Sequence, residues 1–346
     1  MLDRQDNTIH RPASAEVILR ENVAAKNESK ILLLQELLRT LALQGYKFTT
    51  VTPVTHQRFL SRADGTAKNL RDIFGWNLPF NANLLSPLLF ELMSQAGLLT
   101  NTGNYYQSGI RVSSLGNDLF LHSRFPTDDE QSVFFGPDTY RFARFIRQSL
   151  KTLQLETGLL EQSPLRVLDV GCGSGAGGIA AIRALSSQQT YELTLNDVNP
   201  LALDYAVACA QVAAVPATML AGDFFSINKR KFDLIVSNPP YICDPAARLY
   251  RDGGAHFGLE LSVRIAKHAL ELLTPRGRLL LYTGVAISDD EENPLLTELI
   301  PHFSSGNFRW SYDEIDPDIF GEELEQQAYK GINRIAAVGL TIVRLG

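Results

Sequence analysis

Residues 165–185 read "LRVLDVGCGSGAGGIAAIRAL". Leu165–Val170 is a short apolar, β-prone run stopped by glycines, as in a buried strand. Gly171, Gly173 and Gly175 allow a sharp turn and let a ligand approach the backbone where a Cβ would clash. "GGIAAIRAL" then has helical composition, and a helix starting there aims free N–H groups back at the turn. Strand, glycine turn and helix in this order predict a site for a polar or anionic ligand group. The competing reading is a turn needed for packing alone.

The same alternation continues on the C-terminal side. Strands are expected at "YELTLND", "ATMLAGD", "FDLIVSN", "GRLLLYT", "FRWSYDEI" and "RIAAVGLTIVRL", and helices at "PLALDYAVACAQV", "LELSVRIAKHALELL" and "PLLTELIPHF". This pattern predicts an α/β fold: a Rossmann-like, doubly wound sheet of seven strands whose last strand runs antiparallel. The N-terminal side reads differently. Helical spacing marks Ser14–Val23 and Glu28–Gln44, then "THQRFLSR" and "SPLLFELMSQAG", with Ser86 as N-cap, Pro87 at the first position and Gly97 as stop. "YYQSGIRVSSLGNDLFLHS" reads as a hairpin, so the front part is either winged-helix-like or a helical cap with a β-flap. In "FFGPDTYRFARFIRQSL", Asp138 is expected to cap a helix with Phe142, Phe145 and Ile146 on its apolar face. The expected division is a helical and hairpin domain at 1–125, a linker and hinge helix at 126–162, and the α/β domain at 163–346.

Of 346 residues, 45% are hydrophobic, enough for a large core. No apolar run approaches the roughly 20 residues needed to span a bilayer, and the first residues lack the apolar stretch of a secretory signal. Cys172, Cys209 and Cys243 are widely spaced and odd in number, which fits a reducing cytoplasm and suggests neither disulfides nor a metal site. The net charge is −6, with 17 Lys+Arg against 16 Asp+Glu up to Gln162 and 15 against 22 beyond it. Neither part has the strongly basic balance typical of duplex binding.

Gly173, Gly175 and Gly178 satisfy the dinucleotide pattern G-x-G-x-x-G, a weak signal by itself. Asp169 points elsewhere. A carboxylate two residues before the first glycine suits a cationic ligand or a braced loop better than a pyrophosphate. S-adenosylmethionine, with an ammonium, a sulfonium and no phosphate, meets that condition. Asp197 closes the next strand, where a carboxylate accepts ribose hydroxyls in either class of enzyme. Asp223-Phe224 closes the third, an acid and a ring suited to adenine. The candidate cofactor set is Asp169, Gly171, Cys172, Gly173, Gly175, Asp197, Val198, Asp223, Phe224 and Asn238.

The fourth strand, "FDLIVS", stops on Asn238-Pro239-Pro240-Tyr241. With the acids and glycines above, this set resembles a class I S-adenosylmethionine-dependent methyltransferase of the amino-methylating branch. That branch includes adenine-N6, guanine-N2 and protein-glutamine N5-methyltransferases. The resemblance covers about residues 130–346 and implies transfer of a methyl group to a planar or exocyclic nitrogen. It assigns Asn238, Pro239, Pro240 and Tyr241 to catalysis. The Asn238 side-chain carbonyl and the Pro239 backbone carbonyl would grip the acceptor N–H groups, the two prolines would stiffen the loop, and Tyr241 would stack on the acceptor. The wider layout resembles a group of bacterial methyltransferases with an N-terminal helical and hairpin part. The glutamine enzymes usually carry a "PRPETE"-like segment where this chain has "FGPDTY".

Downstream, Gly253-Gly254 reads as a flexible or turning loop, with Tyr250 and Arg251 as candidate acceptor contacts; an ion pair between the neighbours Arg251 and Asp252 is the alternative. The expected acceptors are RNA, a ribonucleoprotein or a protein of the translation machinery, or else a small metabolite, with no membrane partner. A nicotinamide-dependent dehydrogenase would need a catalytic His, and His256 and His268 show no evident partner; His268 reads as a helix-surface residue. An inactive cofactor-binding module is the third reading.

Overall fold

The computed structural model describes residues 15–157, 164–290, 292–303 and 307–346. Helix α1 (Ala15–Leu43) is continuous where two helices were expected, because residues 24–27 include no proline or glycine to end the first one; Ser14 falls outside the described residues. Leu34, Leu37, Leu38 and Leu41 are fully buried at helical spacing. Helix α2 (Pro53–Leu60) starts on Thr52, whose side chain accepts the Thr55 N–H. Helix α3 (Leu70–Phe74), capped by Asn69, is too short to show periodicity and was not anticipated. Helix α4 (Pro87–Gln95) begins on Ser86 and Pro87 as expected.

The expected hairpin resolves into two small sheets. β1 (Leu99–Asn101) pairs with β2 (Tyr106–Ser108), and β3 (Ile110–Leu115) pairs with β4 (Asp118–Ser123) around Gly116-Asn117. Helix α5 (Pro137–Thr157) buries Phe142, Phe145 and Ile146. Asp138 is not its cap. It lies inside the first turn with its carboxylate buried, engaged by side chains from elsewhere.

The α/β part follows the expected order: β5 (Leu165–Val170), α6 (Ala176–Ala184), β6 (Tyr191–Asp197), α7 (Pro200–Val212), β7 (Ala217–Ala221), β8 (Phe232–Ser237), a turn at Ala255–Gly258 (α8), α9 (Glu260–Leu272), β9 (Leu273–Ser288), α10 (Pro294–Phe303), β10 (Phe308–Asp316) and β11 (Ile332–Arg344). One seven-stranded sheet has the order β10-β11-β9-β8-β5-β6-β7. Neighbours from β9 to β7 are parallel, and β11 is antiparallel to both β9 and β10.

Both faces of the sheet are covered, so side chains alternate between two cores. Val167, Leu234 and Leu280 face a core shared with α5, α6, α7 and the front part; Leu168, Ile235 and Leu279 face α9 and α10. Helix α1 packs against α7, and the β4 residue Leu121 donates its N–H to Cys209 Sγ on α7. β5 and β8 are neighbours although β6 and β7 intervene in sequence. The order therefore reverses beside β5, where ligands of such sheets bind, outside the carboxyl ends of the strands.

Candidate active site

The carboxyl ends of β5, β6, β7 and β8 place Asp169, Asp197, Asp223 and Asn238 around one cavity of about 340 Å³. At the glycine loop, Gly171, Gly173 and Gly175 have φ of +65°, +53° and +84°. These are left-handed values that side chains other than glycine's seldom adopt. Gly171, Cys172 and Gly173 line the cavity. Gly175 sits behind it, where a Cβ would come within 3.2 Å of Leu195 Cδ1; it seats α6 on β6.

Asp169 is 1% exposed, and its Oδ2 accepts the Gly178 N–H at 2.7 Å. Of the two roles open to it, the carboxylate takes the bracing one, under the start of α6. Burial pushes its pKa up to about 7, opposed by the Gly178 hydrogen bond and reinforced by the charge of Asp197. Gly177 leaves little room for a Cβ, which would come within 2.5 Å of Phe142 Cε1 and 3.0 Å of both Asp169 carboxylate oxygens. The Asp197 carboxylate accepts N–H groups from Gly173 and Asn199, each at 2.9 Å. Burial raises its pKa as well. Val198, on the rim, is 54% exposed. Asp223 is exposed at the mouth and accepts the Phe225 N–H. Phe224 is buried against Phe225 and His268, with part of its surface lining the cavity.

Asn238, Pro239 and Pro240 line both this cavity and a smaller chamber of about 70 Å³, which also includes Asp138, Tyr241, Tyr250 and Arg251. Among the described residues, no group hydrogen-bonds the Asn238 carboxamide, which stands half-buried at the junction. Tyr241 is 7% exposed, and its hydroxyl donates to Asp138 Oδ2 at 2.7 Å. Its ring lies on Gly284, where a Cβ would come within 2.4 Å of it.

The following segment is held on several sides. Ile242 N–H donates to the Arg251 carbonyl and Gly253 N–H to the Ile242 carbonyl. Gly254 turns the chain at φ +83°, but Gly253 serves packing: a Cβ there would reach within 2.7 Å of Tyr241 Cα. Arg251 reaches the smaller chamber with its guanidinium bonded to Glu323 and near Asp244, so it makes the ion-pair alternative, with partners other than Asp252. The Tyr250 hydroxyl donates to the Thr127 carbonyl at 2.6 Å, and its ring stacks on Phe134.

Sequence reasoning missed the wall formed by Ser132, Val133, Phe134 and Phe135, which precedes α5 and closes the cavity from the front. The signal available was the Phe134-Phe135-Gly136 cluster beside a helix start. It also missed Asn199, whose Nδ2 ties α7 to the Gln131 carbonyl on that wall.

The four aspartates on the cavity wall, Asp169, Asp197, Asp223 and Asp252, face no Lys, Arg or His among the described lining residues. A pyrophosphate would meet carboxylates and no counter-charge. A nucleoside with a cationic tail fits. Among the described residues no histidine lines the cavity; His268 Nε2 bonds the Ile227 carbonyl and is partly buried rather than at the helix surface.

Residues 151–303 match the family model of the methyltransferase small domain. Over 173 residues the chain is 32% identical to the release factor glutamine methyltransferase of Koribacter versatilis, covering 45% of this chain and 61% of that protein. Over 79 residues it is 39% identical to the ribosomal RNA small subunit methyltransferase C of Actinobacillus pleuropneumoniae, covering 22% of each. The chain spans about half to three fifths of the release factor methyltransferases it matches. The solved structure of Trm5b from Pyrococcus abyssi is similar at a TM-score of 0.47 and 14% identity, over 87% of this chain and 80% of that one. No helix among the described residues is long and apolar enough to cross a membrane. Residues 151–303 are thus similar to a methyltransferase small domain.

Proposed function

We propose that this protein is an S-adenosylmethionine-dependent N-methyltransferase acting on a planar or exocyclic nitrogen. One observation carries the reading: a carboxylate-lined cavity that no cation among the described residues lines opens, at an Asn238 carboxamide without a hydrogen-bond partner among them, onto a second small chamber. Asp197 and Asp223 would hold the ribose and adenine of the cofactor, and Gly171–Gly173 its amino-acid end. Bound S-adenosylmethionine supplies an electrophilic methyl group on its sulfonium.

The acceptor nitrogen is a poor nucleophile because its lone pair is delocalised. The Asn238 side-chain carbonyl and the Pro239 carbonyl accept its N–H groups and favour the pyramidal geometry that attack requires. Pro239 and Pro240 fix φ, so these acceptors are in place before charge develops. Placement, rather than a strong base, supplies most of the rate. Transfer makes the nitrogen acidic, and its proton leaves to solvent.

The names of the relatives point to RNA or protein of the translation machinery as acceptor, which fits a cytoplasmic enzyme. Residues 1–125 would present that acceptor through the segment at 126–162. The contact of Tyr250 with Thr127 at the chamber mouth supports this. Labelled S-adenosylmethionine incubated with the protein and fractionated cell extract tests the reading. Label in an RNA or protein fraction supports it and label in small molecules identifies a metabolite acceptor; no label in any fraction overturns it.

A further inference from the structure

Asp138 is one of the most deeply buried charged groups in the chain, and the function above does not use it. It is 3% exposed, in the first turn of α5, about one hundred residues before the Asn-Pro-Pro-Tyr segment. Oδ2 accepts the Tyr241 hydroxyl at 2.7 Å; Oδ1 accepts the Tyr282 hydroxyl at 2.7 Å and Arg141 Nη1 at 3.1 Å. Arg141 continues to Asp316 on β10 at 2.8 Å. One carboxylate thus joins α5, the loop after β8, β9 and, through Arg141, β10.

Asp138 also lines the smaller chamber together with Asn238, Pro239 and Tyr241. Burying a charge is costly, and apolar side chains could fill this space without that cost. What the carboxylate adds is direction. It fixes the Tyr241 ring on Gly284, and the Tyr241 backbone is packed in turn by Gly253 and Gly258. Burial raises the Asp138 pKa, while the two hydroxyls and the guanidinium oppose that shift.

We propose that Asp138 is a positioning residue for methyl transfer. It acts through Tyr241 to hold the Asn238-Pro239 carbonyls toward the acceptor nitrogen. The inference rests on the function proposed above. It makes the first turn of α5 part of the acceptor site, although that turn supplies no group to the reacting atoms.

The test compares Asp138→Ala, Asp138→Asn and Tyr241→Phe with the parent protein by residue-resolved amide exchange, calorimetry with S-adenosylmethionine, and labelled methyl transfer to fractionated extract. Exchange at Ile242 and Gly253 should rise about tenfold or more in Asp138→Ala, with Gly173 and Gly178 unchanged. Cofactor affinity should stay within about threefold, and transfer should fall about 10²-fold through kcat rather than KM. Tyr241→Phe, which keeps the ring and loses only the hydroxyl, should shift exchange in the same direction by less. Asp138→Asn should lie between the other two and keeps the test usable if the alanine variant does not fold. Unchanged exchange at Ile242 and Gly253, or an equal rise throughout β5 and β8, would overturn the proposal. Exchange needs no acceptor, so failure of the parent protein to transfer any methyl group overturns the methyltransferase reading separately.

Discussion

Asp197 at the end of β6 accepts the Gly173 N–H of the neighbouring glycine loop at 2.9 Å, so the group expected to hold the ribose also fixes the loop beside it. Asp197→Ala should weaken S-adenosylmethionine binding by about 1–3 kcal/mol, the usual loss for a charge-assisted hydrogen bond. Titration calorimetry measures it. Unaltered affinity would place the nucleoside elsewhere.

Asn238→Ala should reduce methyl transfer by about 10²–10³. Cofactor affinity should change little, because the carboxamide faces the junction with the smaller chamber. Transfer assays paired with calorimetry separate the two effects, and a variant with near-normal turnover would remove Asn238 from the mechanism.

Asp169 makes stability depend on pH. With its pKa raised from 3.8 to about 7 in the folded protein, the folded state keeps a proton that the unfolded chain has released. Stability is therefore lost as pH rises from about 4 to about 7, by at most about 1.4 kcal/mol per unit. Asp169→Asn removes this component. Denaturant melts across that range should show a shallower slope for the variant; parallel curves would mean that Asp169 is ionised in the fold.

Gly284→Ala should act on the acceptor loop from beneath. The added Cβ would meet the Tyr241 ring at 2.4 Å, and at Gly284 the β9 backbone is held in register by Ala337 of β11. An overpacking cost of about 1–3 kcal/mol is expected. Thermal melts report that cost. Transfer should fall further than stability alone explains, since the displaced ring carries the loop with it.

A chain beginning near Thr127 tests the front part. Removing it uncovers Tyr205, Cys209 and their neighbours on α7, which share one core with Leu34, Leu38 and Phe120. We expect the truncated protein to aggregate, which size-exclusion chromatography would show. A soluble, cofactor-binding and inactive core would instead separate acceptor presentation from covering.

Much of the α/β part could be read directly, because its signals are local. The strand at Leu165–Val170 and the helix at Pro200–Val212 were bounded by Gly171 and by Asn199-Pro200. β5, β6, β7 and β8 also each carry an acid or amide within two residues of their carboxyl end: Asp169, Asp197, Asp223 and Asn238. α3 escaped because five residues carry no period, and α1 was divided because its apolar spacing weakens around residues 24–27 without any residue that breaks a helix.

The sequence alone determined which residues would gather at the sheet edge, since in a doubly wound sheet the ends of parallel strands are neighbours wherever they fall in the chain. Only the tertiary structure decided what each one does there. It turned Asp169 inward to Gly178, seated Gly175 against Leu195 and paired Arg251 with Glu323. It brought Asp138 from the start of α5 to Tyr241 and Tyr282. Contacts of that range depend on how helices pack across the sheet, and no local spacing encodes them.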